Sequence, residues 1–181
     1  MLKITIPDIE LYDEKKEEFI NLKGQTLCLE HSLVSISKWE SKWKKSFLSI
    51  DNKTMSDEEM EDYIRFMTLT QNVNPEIYKY IPNSELEKIQ NYIDDPMTAT
   101  TFRDNKRTGP SRKIITSEEI YYQMIALQIP FECQKWHINR LLTLIRVCNE
   151  LNNPKKMGKN DILRQNKSLN AARRKAMHTK G

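Results

Sequence analysis

The sequence predicts a mainly α protein: a helical bundle around a central helix at about residues 131–151, with a small N-terminal β-hairpin-like element and a basic C-terminal tail. Three observations carry this. Glycine occupies only 4 of 181 positions while charged residues make up 30%, a balance that suits a charged-surfaced helical protein better than a glycine-punctuated sheet. From His31 onward apolar residues recur three or four apart, the helical period. Before it, Leu2, Ile4 and Ile6 alternate with Lys3 and Thr5, the period of a strand with one buried face.

Ile9 and Leu11 keep the strand period after Pro7, and Thr26 to Leu29, following Gly24, supply the expected partner strand. Leu33, Ile36, Trp39, Trp43 and Phe47 then define an amphipathic helix with Lys38, Lys42 and Lys45 between them. Ser56 and Glu59 have capping-box spacing, in which each side chain satisfies an orphan amide of the first turn. Met60, Ile64 and Met67 line one face of the helix they open. After the break at Asn74-Pro75, a shorter helix is expected over about 84–93, with Leu86, Ile89 and Ile93 at helical spacing and Glu87 repeating the capping box with Ser84. Residues 96–113 hold Pro96, Asp104-Asn105, Gly109-Pro110 and five Lys/Arg, so little there can be buried and an exposed loop is expected. Thr116 and Glu119 form a third capping-box pair, and Ile120, Met124 and Leu127 mark a helix to about Gln128.

Pro130 suits the first turn of the next helix, because its fixed φ is compatible with helix and its missing N–H is not needed there. Winding 131–151 at 100° per residue puts Glu132, Lys135, Asn139, Thr143, Arg146 and Glu150 on one narrow polar strip. Phe131, Ile138, Leu141, Leu142, Ile145 and Cys148 form one apolar face, with Cys133, Trp136, Leu144, Val147 and Leu151 flanking it. A helix apolar over most of its circumference belongs in the middle of a bundle.

A chain of 181 residues suits one domain, since domains commonly run roughly 100 to 200 residues. Its charge is divided. From Lys155 onward nine Lys/Arg face one acid, Asp161, giving +8, while residues 1–154 carry 20 Lys/Arg against 24 acids, giving −4. The expected organisation is a helical body over 1–153 that includes the N-terminal β element, and a basic tail over 154–181 that is mobile until it meets a partner. Ile162, Leu163, Leu169, Ala171, Ala172, Ala176 and Met177 give the tail weak amphipathicity, too little to offset its ordering entropy unaided. No apolar run approaches the roughly 20 residues that span a bilayer, and no secretory signal opens the chain. Three cysteines without close spacing fit a reducing compartment better than a disulfide framework.

Candidate chemistry is sparse. Cys28 and His31 with Cys133 and His137 are the one set with zinc-ligand types, but the wide separation of the two pairs and the lack of a zinc-ribbon pattern favour cysteines acting as small buried hydrophobes. A Cys133–His137 nucleophile pair fails for a similar reason, since a thiol on a Trp- and Leu-rich face has a raised pKa and is inert. Asp57, Glu58, Glu59, Glu61 and Asp62 at a helix start are explained by the macrodipole and solvent. No phosphate-binding glycine loop, H-E-x-x-H or nucleophile elbow occurs, so no enzyme, cofactor or metal is expected. Residues 117–150 outline a helix-turn-helix, but a recognition helix must expose polar groups to base edges, and this one is expected to bury most of its surface. The basic residues Lys155, Lys156, Lys159, Arg164, Lys167, Arg173, Arg174 and Lys175 are the candidate partner-binding set, suited to phosphates or to an acidic protein.

Leu29 to Trp43 (LEHSLVSISKWESKW), Ile120 to Leu127 (IYYQMIAL), Trp136 to Asn149 (WHINRLLTLIRVCN) and the ending Leu169 to Arg174 (LNAARR) resemble small proteins of the tail gene region of siphophages, described as tail assembly chaperones. The likeness covers most of the chain, is weakest around 100–113, and rests on no catalytic motif. It implies a non-catalytic helical protein of the host cytoplasm that binds the aggregation-prone tape measure protein during tail assembly. Self-association stays open, and no membrane contact is expected. The alternatives are a nucleic-acid-binding regulatory or packaging protein using the basic tail, and a structural component of the virion.

Overall fold

The computed structural model describes residues 1–13, 18–49, 55–102, 114–152 and 159–177. Four short strands open the chain: β1 (Leu2–Ile6), β2 (Ile9–Asp13), β3 (Glu18–Leu22) and β4 (Gln25–Leu29). β1 pairs antiparallel with β4, Leu2 opposite Leu29 and Ile6 opposite Gln25, and β2 pairs with β3, Ile9 opposite Leu22 and Asp13 opposite Glu18. The two pairs share one register, interrupted only where Pro7 lacks an N–H to donate. At that interruption the backbone of Gly24 runs so close to the opposite strand that a Cβ there would lie 2.5 Å from the Ile6 carbonyl oxygen. Its N–H donates to Asp8 Oδ1 at 2.6 Å. The expected pairing of the first strand with 26–29 is therefore present, and the residues after Pro7 form a separate strand whose partner, β3, the alternation did not reveal.

The structure is mostly helical, as expected. Helices α1 (Leu33–Trp43), α2 (Asp57–Met67), α3 (Asn83–Asp94), α4 (Ser117–Ala126), α5 (Ile138–Asn152) and α6 (Lys159–Met177) follow in order. Short 3₁₀ turns occupy Phe47–Ser49, Pro75–Tyr80 and Phe131–Lys135. The chain divides into a larger unit, Met1–Arg146, and a smaller one, Val147–Gly181, so α5 runs through the division.

In the larger unit Ile4 and Ile6 of β1, Leu27 and Leu29 of β4, and Leu33, Ile36 and Trp39 of α1 are buried. Tyr63, Ile64 and Met67 of α2, Ile89, Tyr92 and Ile93 of α3, and Ile120 and Met124 of α4 belong to the same core. α1 sits at its centre, touching α2, α4 and the 3₁₀ turns Phe47–Ser49 and Phe131–Lys135. Its ends are well defined. Ser32 and Ser35 form a capping box at the start, and Lys44 takes a left-handed conformation at φ 55° that lets its N–H close on the Glu40 carbonyl. Phe47 therefore lies beyond the helix, buried in the following turn.

The Ser56–Glu59 capping box is formed reciprocally. The other two expected boxes are not. Pro82 precedes the first residue of α3, and the helix starts there without a side-chain cap; Thr116 holds the cap position of α4 but makes no capping hydrogen bond. At α4 another group takes the role: the buried carboxylate of Glu40 accepts from Ser117 N at 2.8 Å through one oxygen and from Phe47 N at 2.9 Å through the other. A carboxylate at a helix N-terminus satisfies an orphan amide and complements the dipole.

The central helix expected over 131–151 is corrected in two respects. Pro130 leads into the 3₁₀ turn Phe131–Lys135, and the chain is extended at Trp136 (φ −72°, ψ 162°) before α5 begins at Ile138. The break has a tertiary cause: Ser32 and His137 form an isolated antiparallel bridge, and Ile138 N donates to the His31 carbonyl at 2.8 Å. Only Ile138, Leu141 and Ile145 of α5 are buried, on one face, whereas Phe131 is 52% and Leu151 75% exposed. The bundle's centre is α1. Of the loop expected over 96–113, residues 103–113 lie outside the described residues.

In the smaller unit, α6 is a helix of 19 residues, and each of its described side chains is exposed. The tail is thus helical over this stretch, where weak amphipathicity alone argued against unaided order. Among the described residues, no helix is long and apolar enough to cross a membrane.

Candidate interaction site

The four candidate zinc ligands are not brought together as a set. Among the described residues no group of three or more His, Cys, Asp or Glu side chains is placed to hold a metal ion. What the fold unites is the two histidines, whose rings meet edge to face with centroids 4.9 Å apart. His31 Nδ1 is hydrogen-bonded to the Tyr63 hydroxyl. His137 Nε2 donates to the Tyr92 carbonyl at 2.9 Å while its Nδ1 accepts from Asn139 N at 3.3 Å, an arrangement that requires the neutral Nε2–H tautomer. Burial, with the neighbouring His137 adding to it, pushes His31 down to about 3, and burial also lowers His137. Both imidazoles are structural plugs between the start of α1 and the start of α5.

Cys133 is buried and burial raises its thiol, while both ring nitrogens of His137 are hydrogen-bonded to backbone groups. Two of the five acids at the start of α2 have structural partners: Glu59 serves the cap and pairs with Lys45, and Asp62 pairs with Lys42 and accepts from Trp43 Nε1 at 3.1 Å. The 3₁₀ turn between α4 and α5 removes the compact helix-turn-helix outline, because the second helix starts eight residues after Pro130.

Of the candidate partner-binding cations, Arg164, Lys167, Arg173, Arg174 and Lys175 are exposed along α6. Lys159 is the first residue of α6, its side chain outside the described set, and Lys155 and Lys156 lie outside the described residues altogether. At 100° per residue Arg164, Lys167, Arg174 and Lys175 share one face. Leu169, Ala172 and Ala176 share the opposite one. Leu169 is 47% exposed, and Leu163 and Met177 off that stripe are 65% and 73% exposed.

A cleft of about 230 Å³ also opens in the larger unit, lined by Met1, Glu30, Tyr92, Met97, Lys135, Trp136, His137 and Arg140. The Arg140 guanidinium lies over the Trp136 ring, 4.3 Å from its centroid. Glu30 is already engaged, accepting from Tyr92 Oη at 2.6 Å and pairing with the Met1 ammonium at 3.1 Å. Sequence reasoning missed this cleft, although Trp136 and Arg140 stand four residues apart, close enough to stack; Glu30, Tyr92 and Met97 join them only through folding. On the surface nearby in sequence, Tyr122 and Ile125 are exposed on α4, one helical turn apart.

The chain matches no protein-family model, no curated protein and no solved structure.

Proposed function

We propose that this protein is a tail assembly chaperone of the siphophage type, a non-catalytic factor of the host cytoplasm that holds the tape measure protein through protein–protein contacts during tail morphogenesis. One observation carries the reading: α6 presents an apolar stripe (Leu169, Ala172, Ala176) and a cationic face (Arg164, Lys167, Arg174, Lys175), with its described side chains exposed. Such a helix gains by laying its stripe against an apolar groove or a partner helix, with the charges keeping the unbound form in solution. The segment Leu169 to Arg174, part of the resemblance to that family, falls within it. The resemblance implies a long, aggregation-prone tape measure chain, and covering exposed apolar surface on such a chain would keep it from self-associating.

Co-expression with the tape measure protein of the same gene region tests this. A soluble complex is expected, and Leu169→Asp with Ala176→Asp should abolish it without changing the thermal stability of the larger unit. Unchanged tape measure solubility with no recoverable complex would sink the proposal.

The five exposed cations of α6 favour a second reading, a nucleic-acid-binding regulatory or packaging role. DNA binding by the purified chain that weakens steeply with salt and vanishes on truncation after Asn153 would replace the chaperone reading with this one.

A further inference from the structure

Arg140 and Lys135 stand at the cleft with, among the described residues, no carboxylate paired to either. The Arg140 guanidinium lies over the Trp136 ring, a contact that restrains the side chain while leaving its N–H donors without a carboxylate partner among the described residues. A planar fork fixed this way matches a carboxylate, which it can bind through two parallel N–H···O contacts with little further loss of side-chain freedom. The rest of the wall suits what a carboxylate hangs from: Met97, Tyr92 and the Trp136 edge offer apolar surface to an aliphatic stem. Glu30 in the same wall is already taken up by the Met1 ammonium and the Tyr92 hydroxyl, so Arg140 and Lys135 set the sign of the cleft, and the apolar wall distinguishes a carboxylate on an aliphatic stem from phosphate. The volume of about 230 Å³ holds one side chain and not a folded ligand.

We propose that the cleft between Trp136, Arg140, Lys135 and Tyr92 is a docking site for a glutamate or aspartate side chain of an acidic peptide segment on a partner protein. It stands on the larger unit alone and does not depend on α6 or on the identity of the tape measure protein as partner.

Nuclear magnetic resonance titration of the full-length chain tests it, with the Trp136 indole and Arg140 Nε–H signals as reporters. The probes are acetyl-Leu-Glu-Glu-Leu-amide, its Gln-Gln counterpart and inorganic phosphate. The glutamate peptide should shift both reporters saturably, and the glutamine peptide and phosphate should not. Arg140→Gln should weaken binding roughly tenfold, the loss of one charge-assisted bidentate contact. Arg140→Lys, which keeps the charge but not the fork, should recover only part of it, and Arg173→Gln on α6 should have no effect. Arg140 is exposed, so these variants keep the fold. Equal shifts with the glutamine peptide, tighter binding of phosphate, or no saturable shift would each overturn the proposal. Any of these results would leave the chaperone reading intact, since that reading is decided by α6 and co-expression.

Discussion

His31 and His137, 106 positions apart in the chain, meet edge to face at 4.9 Å, and the backbone joins them as well: Ile138 N donates to the His31 carbonyl at 2.8 Å. Each ring is neutral in the folded protein because burial disfavours its charged form.

That neutrality makes stability depend on pH. The folded pKa values of both histidines lie below the unfolded value near 6.5, so below that pH the unfolded chain binds more protons and acid favours it. The stabilisation is complete above about pH 6.5 and is lost as pH falls from there toward about 3, the folded value of His31. The hydrogen bond to the Tyr92 carbonyl, with Glu30 and Asp95, pulls His137 the other way, so His31 dominates. Within the window each differing proton costs about 1.4 kcal/mol per pH unit. Thermal melts between pH 7 and pH 4 should show falling midpoints, with a shallower slope in His31→Gln; an unchanged slope would refute the assignment.

Glu40 joins three parts of the larger unit through one buried carboxylate. Glu40→Gln keeps one acceptor oxygen but turns an amide NH₂ toward a backbone N–H, leaving either Ser117 N or Phe47 N unsatisfied. Chemical denaturation should show a loss of roughly 1–3 kcal/mol, the range for stranding a buried donor. A loss of a few tenths would mean that water or another acceptor substitutes.

The capping pairs separate by mechanism. Ser56→Ala removes a formed cap bond and should cost about 1 kcal/mol, while Thr116→Ala, at a cap position where Glu40 does the work, should cost clearly less. Equal losses in urea denaturation would contradict the structure's distinction between them.

Gly24→Ala forces a methyl group into the backbone of the opposite strand, within 2.5 to 2.7 Å of atoms of Ile6, Pro7 and Asp8. Backbone cannot yield as a side-chain tip can, so the β1–β4 and β2–β3 pairs must shift relative to each other at that point. A loss of roughly 1–3 kcal/mol is expected, the usual scale of overpacking, with amide protection falling first in β1 and β4. Unaltered protection there would show that the junction is looser than described.

Much of the fold was legible because local patterns report local structure. The alternation of Leu2, Ile4 and Ile6 placed β1, and Ser56 with Glu59 located the start of α2 to the residue. β3 was hidden because Phe19 lies exposed beside polar Asn21, so its alternation does not separate an inside from an outside. The same spacing that succeeded at Ser56 failed at Ser84 and Thr116, since a capping box is realised only when no better acceptor competes for the amides. Of the candidate site, the cations of α6 could be counted in advance, but not the cleft, whose walls come from Met1, the residue after β4, α3 and the segment after it, and the stretch from Lys135 into α5.

The amino-acid pattern alone determined the helical class, the amphipathic faces of α1 and α2, and the contrast between an acidic body and a basic C-terminal stretch, because periodicity and charge act over a few residues. Only the tertiary structure decided that 131–151 breaks at Trp136, that α1 is the centre, and that His31 and His137 pack against each other. Those outcomes rest on hydrogen bonds between distant partners, Ser117 N to Glu40 and Ile138 N to His31, whose strength no local spacing can express.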